Sequence, residues 1–270
     1  MKPNFDITGK IAVITGAGGI LCSEMARQLA ACGCKLAILD INEAAAQKVA
    51  DDIQAAGGDA LAVAVDVLSK DSLNAARDAV LARYGQVDIL VNGAGGNKAT
   101  ATTNADQSFF DVPQDALQWV FNLNILGTIM TSQVFGKVMA EQKFGSIINF
   151  SSMSAFTPLT RVLGYSAAKA GVNNFTQWLA VHMSMEYSTE IRVNAIAPGF
   201  LLTEQNRFLM TTQEGGLTQR GQDVIRHTPM DRFGEPEELV GAVVFLCSPA
   251  ASFINGVVLP IDGGFSAITI

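Results

Sequence analysis

Tyr165 and Lys169, in the run Tyr165-Ser166-Ala167-Ala168-Lys169, are of the types and at the spacing that proton transfer requires. Four apart on a helix they face the same way, so the lysine ammonium can sit beneath the phenol. A free phenol titrates at about pH 10, and a nearby cation lowers that value toward neutrality. The same spacing also arises by chance on many helices. A second group, Thr15-Gly16-Ala17-Gly18-Gly19-Ile20, could do a different job: glycines let a backbone approach a pyrophosphate and leave helix N–H groups free to bind it. Without a ligand it is simply a glycine-rich turn. Asp40 follows the glycines by about 20 residues, where a carboxylate accepts both ribose hydroxyls of adenosine and repels a 2′-phosphate, which favours NAD over NADP. Asp40 could equally cap the next helix, and the two roles are compatible.

Positioning these groups needs strands that end where helices begin. Apolar runs predict strands at 11–15, 35–40, 60–65, 88–92, 146–151, 192–197 and 257–261. Helical spacing predicts helices to Ala31, then at 43–56, 71–84, 116–121, 125–141, 165–187 and 236–246, with Gly33 and Gly57-Gly58 as stops. The alternation predicts an α/β fold: one Rossmann-like domain over 1–270, a doubly wound parallel sheet of about seven strands with helices on both faces. The Thr-, Gln- and Gly-rich stretch after Pro198 is too long for an ordinary connection, so 199–233 reads as a mobile substrate lid.

Composition narrows the partners. Of 270 residues, 49% are hydrophobic and 16% charged, enough apolar material to cover a sheet on both faces. A net charge of −7 argues against nucleic acid and leaves a small molecule as the expected partner. Met1 to Gly9 has no apolar run behind a basic start, and no segment is long and apolar enough for a membrane span, so a cytoplasmic location is expected. Cys22, Cys32, Cys34 and Cys247 then read as reduced, mostly buried residues. His182 and His227 lack a ligand pattern, and no metal is expected.

Taken in order, several motifs make the chain similar to the short-chain dehydrogenase/reductase family from about Gly9 onward. Asp66-Val67 resembles the family's adenine-contacting pair, and Asn92-Gly93-Ala94-Gly95 its Asn-Asn-Ala-Gly strand end. Pro198-Gly199, with Thr203 beyond, resembles the segment beside the nicotinamide carboxamide, and Asp262-Gly263-Gly264 the family's ending. The resemblance implies Asn124, Ser152, Tyr165 and Lys169 as a catalytic tetrad. Ser152 would hydrogen-bond the substrate oxygen, Tyr165 would move its proton, Lys169 would also hold the cofactor ribose, and Asn124 would position a relay water. Hydride would pass to or from the nicotinamide. It also implies a homotetramer through the long fifth and sixth helices and the C-terminal segment. Two positions depart from the pattern: the glycine loop lacks a residue and has Cys22 where its last glycine belongs, and Gly93 stands for the second Asn. The first alters the detailed pyrophosphate contacts that the resemblance implies without removing the turn.

Asn97 and Lys98 in the loop after the fourth strand, Arg161 one turn before Tyr165, and Arg207 in the lid suggest an anionic, hydroxyl-rich substrate such as a sugar acid. Ordinary surface charge is the alternative for each. The loop Gly95–Thr100, the lid string Gly216–Gly221 and His227-Thr228-Pro229-Met230 resemble the D-mannonate oxidoreductase (fructuronate reductase) branch of the family. That implies NADH-linked interconversion of D-fructuronate and D-mannonate. A gluconate 5-dehydrogenase-like activity is the nearest rival, and an NAD(H)-sensing regulator that has lost turnover is the alternative of another class.

Overall fold

The computed structural model describes residues 4–204, 207–213 and 215–268. Seven strands form one sheet: β1 (Ile11–Thr15), β2 (Lys35–Asp40), β3 (Asp59–Ala64), β4 (Ile89–Asn92), β5 (Gly145–Phe150), β6 (Ile191–Pro198) and β7 (Val258–Ile261). Their order is β3-β2-β1-β4-β5-β6-β7, and every neighbouring pair is parallel. The doubly wound fold expected from the alternation is therefore present.

Strands buried on both faces read as continuous apolar runs because alternate side chains enter two different cores. In β1, Ala12 and Ile14 join one core with Met25, Leu36 and Val243, whereas Val13 points into the other with Leu73, Phe135 and Leu179. Helices α1 (Ile20–Ala31), α2 (Glu43–Ala55) and α9 (Val240–Cys247) cover the first face. Helices α3 (Lys70–Tyr84), α5 (Gly127–Gln142) and α6 (Leu163–Glu186) cover the second. Strand β1 pairs with both β2 and β4, so successive crossovers leave it in opposite directions and a crevice opens beyond the strand ends.

Two departures from the expected elements bear on the site. Helix α4 (Gln114–Phe121) does not stop before α5; a π-helical turn over Asn122–Leu126 joins them. Such turns are frequent at functional sites. The stretch read as irregular lid carries α7 (Arg207–Met210) and α8 (Gln219–Arg226), the latter capped by Thr218, whose Oγ1 accepts Gly221 N–H at 3.0 Å. Its two ends are tied together: Leu202 N–H donates to Gly234 O at 2.9 Å, and Gly234 N–H to Phe200 O at 3.0 Å. Gln205, Asn206 and Glu214 of the expected lid lie outside the described residues. Among the described residues no helix is long and apolar enough to cross a membrane.

Candidate active site

A cleft of about 710 Å³ opens beyond the carboxyl ends of the central strands. One wall is the start of α1, whose N-cap Gly19 has no side-chain bond and whose first turn carries no acid. Gly19, Ile20, Leu21 and Cys22 line the cleft, so the helix presents it with free backbone donors and the positive end of its dipole. Gly16 has a φ of 65°, and a Cβ there would fall 2.8 Å from Ala94 Cα. Thr15 Oγ1 holds the opposing segment in place, accepting Gly93 N–H at 3.2 Å and Ala94 N–H at 3.3 Å.

Asp40 stands on the far side. Its Oδ2 accepts Gly18 N–H at 2.9 Å and its Oδ1 accepts Asn42 N–H at 2.8 Å. The cap of α2 is Asn42, which accepts Ala45 N–H at 3.2 Å, so capping is not Asp40's task. Each carboxylate oxygen keeps a lone pair for a hydroxyl. Ile41, Asp66 and Val67 complete this end of the cleft. Free donors for a phosphate and a carboxylate placed for ribose fit a dinucleotide.

The two departures from the family's pattern explain one another. A Cβ on Gly93 would collide with Cys22 Sγ and would also come within 2.8 Å of Thr15 O. Cys22 fills the space that a side chain at 93 would take, and Gly93 leaves it. The shortened loop therefore still closes onto β4. Burial pushes the Cys22 thiol up to about 12, with nearby Lys169 opposing the shift and Asp40 adding to it, so it is a neutral packing group.

The four residues expected to be catalytic come from three segments and meet at one end of the cleft. Ser152 follows β5 and accepts Ser154 N–H at 3.2 Å. Tyr165, on α6, lines the cleft, with the Ser152 hydroxyl near enough to act on its phenol. Lys169, one turn on, is 4% exposed; its Nζ donates to Phe150 O at 2.7 Å and lies 5.5 Å from the Tyr165 ring centre. Asn124 sits in the π-helical turn. Its Nδ2 donates to Val120 O at 2.8 Å and to Gly96 O at 2.7 Å, while its Oδ1 accepts Gly96 N–H at 3.1 Å. The widened turn thus aims one amide at both backbone groups of the β4 loop.

The electrostatics differ from expectation in one respect. Burial raises the Tyr165 phenol above its ordinary value, and the nearby Ser152 hydroxyl only partly offsets it. The Lys169 ammonium is itself desolvated and falls to about 8, its proximity to Cys22 opposing that fall. The protein alone holds a neutral phenol.

The other expected residues divide. Gly16, Gly18, Gly19, Ile20, Asp40, Asp66, Val67, Gly93, Ala94, Gly199 and Thr203 line the cleft with Tyr165. Asn92 is turned into the core, its Nδ2 donating to Ser132 Oγ at 2.9 Å and Asn149 Oδ1 at 2.8 Å. Pro198 is buried in β6. Leu21, Leu123, Phe150, Phe200 and Leu201 also line the cleft, and as isolated apolar residues they carry no sequence signal of that role. Among the residues expected to meet substrate, Asn97 Nδ2 donates to Thr102 Oγ1 at 2.9 Å, Lys98 Nζ lies 4.6 Å from the centre of the Trp119 ring, and Arg207 is drawn to Glu204 at 3.7 Å. Arg161 lines a second cleft of about 640 Å³ between residues 157–162 and α8, joined to the first at Phe200.

A family model described as enoyl-(acyl carrier protein) reductase matches residues 17–266. An uncharacterised oxidoreductase, UxuB, of Bacillus subtilis is 48% identical over 97% of this chain and 96% of its own. The chain belongs to the short-chain dehydrogenase/reductase family. As a member it is an oxidoreductase of CH–OH groups that uses a nicotinamide dinucleotide. A Haemophilus influenzae structure with the provisional name D-mannonate oxidoreductase, with NAD bound, is similar at 47% identity and a TM-score of 0.92 over 98% of this chain and 97% of that one. The 7α-hydroxysteroid dehydrogenase of Escherichia coli is 34% identical over 97% of this chain and 96% of its own.

Proposed function

We propose that this short-chain dehydrogenase/reductase uses NAD(H) to interconvert a secondary alcohol and a ketone on a sugar acid, with D-mannonate and D-fructuronate as the pair. The observation that carries it is the shared cleft: Tyr165, near Ser152 and beside buried Lys169, lines the same space as Asp40. When bound, NAD(H) supplies or accepts a hydride. Ser152 orients the substrate oxygen, and Tyr165 gives it a proton in reduction or takes one in oxidation. The neutral phenol favoured by burial is the form that reduction uses. Lys169 adds positive charge at the site when the phenolate forms, and Asn124 fixes the Gly96 loop that walls the site.

Asp40 supports NAD over NADP, since a 2′-phosphate beside its carboxylate would meet like charge. Residues 199–233 serve as the substrate lid. Exposed Trp178, Val181 and Met185 on α6 support a homotetramer built partly through that helix.

The test is NADH oxidation by the purified protein against a panel of keto-sugar acids, with Tyr165→Phe as the control. D-fructuronate should turn over, and the variant should lose roughly 100-fold or more of the rate while keeping its affinity for NADH. Binding of NADH with no turnover of any panel member would leave a cofactor sensor in place of a sugar-acid enzyme.

A further inference from the structure

The chain has nine arginines, and among the described residues seven of them have a side-chain partner. Arg27, Arg77, Arg83, Arg207, Arg226 and Arg232 pair with carboxylates. Arg192 donates to the carbonyls of Ser248 and Ile254. The two without an ion pair or side-chain hydrogen bond among the described residues are Arg161 and Arg220, and both line the second cleft. A guanidinium left unpaired where its neighbours could have evolved a carboxylate is a ready site for a planar anion.

The cleft adds three points. Its one acid, Asp223, is already engaged, lying 3.7 Å from Arg226 and accepting Gln219 Nε2–H at 3.0 Å, so it does not neutralise the pair. The two arginines come from opposite walls. Arg161 precedes α6, where Thr103 N–H donates to its main-chain oxygen at 3.0 Å, and Arg220 is in the first turn of α8 within the expected lid. Phe200 lines both this cleft and the cofactor cleft and packs against Phe265 at 5.3 Å, giving an apolar partition between the anion and the reacting end.

We propose that Arg161 and Arg220 form the carboxylate-recognition site of the substrate, a polyhydroxy acid whose carboxylate bridges the two walls and draws α8 toward the body. This rests on the sugar-acid reading above. It moves anion recognition from Arg207, paired with Glu204, and Lys98, stacked on Trp119, to Arg220 as the partner of Arg161.

The experiment titrates the protein–NADH complex with D-mannonate and, separately, with D-mannitol, which lacks the carboxylate, in wild type, Arg161→Gln and Arg220→Gln. D-mannonate should bind more tightly than D-mannitol, each variant should weaken the acid by roughly 10- to 100-fold, and NADH affinity should hold. Arg161→Lys should recover only part of the loss, because an ammonium cannot make the paired bonds of a guanidinium. Equal binding of acid and polyol, or variants that bind D-mannonate like wild type, would overturn the site. Arginine-dependent binding without hydride transfer would sustain the site and defeat the sugar-acid turnover; turnover of D-fructuronate with an unchanged KM in both variants would do the reverse.

Discussion

At the scale of single residues, Lys169 carries a charge in a place that resists charge. Burial lowers it from 10.5 to about 8, so between these values the folded protein holds fewer protons than the unfolded chain. Stability therefore rises with pH across that window: the penalty for the buried ammonium is complete below about pH 8 and relieved as pH climbs toward 10.5. Measured against Lys169→Met, the wild type should gain roughly 3 kcal/mol between pH 8 and 10.5. Denaturant unfolding of both at several pH values checks this, and a difference independent of pH would mean that the ammonium is not buried. Tyr165 and Lys169 were legible because their spacing encodes a shared helix face. Arg220 was not, since a lid has no period from which to tell a cation facing a cleft from one facing solvent. The placement of Lys98 over Trp119, a partner 21 positions away in sequence, was hidden for the same reason.

At the scale of elements, the strand predictions fall within one residue of the observed bounds, because a buried parallel strand shows itself as an unbroken apolar run. The π-helical turn escaped because the contact it serves, the Asn124 amide reaching the Gly96 backbone, is tertiary. The contact between α1 and the end of β4 gives a test of the altered glycine loop. Gly93→Ala alone should destabilise by about 1–3 kcal/mol through overpacking against Cys22. In Cys22→Ala the same change should cost less, leaving a coupling of about 1 kcal/mol or more in a double-mutant cycle followed by urea unfolding. Strict additivity would show that the two departures from the family's pattern are unrelated. The end of β2 gives another. Asp40→Ala removes the acceptor of both Gly18 and Asn42 N–H and the charge that disfavours a 2′-phosphate. The ratio of NADPH to NADH affinity, read by fluorescence titration, should shift toward NADPH by about 10-fold or more; no shift would remove Asp40 from cofactor selection.

At the scale of the whole molecule, the strand order decides where chemistry can occur. With β1 between β2 and β4, the glycine turn, Asp40 and the β4 loop converge from three strand ends, and β5, α6 and β6 deliver Ser152, Tyr165 and Gly199 beside them. The alternation of elements made a parallel sheet readable from the sequence. The joining of Leu202 to Gly234, and the second cleft between α8 and residues 157–162, depend on pairings that no local pattern records. The central claim is that a hydride is exchanged with a sugar-acid carbon, and a proton with the oxygen it bears, beside Tyr165. Its most direct test is to incubate D-fructuronate with NADH deuterated at the transferable position and to follow the label by NMR, in wild type and in Tyr165→Phe. The account predicts one deuterium on the newly formed carbinol carbon with wild type and almost none with the variant, both proteins binding NADH equally. Product without label, or the same labelling rate in both proteins, would contradict it.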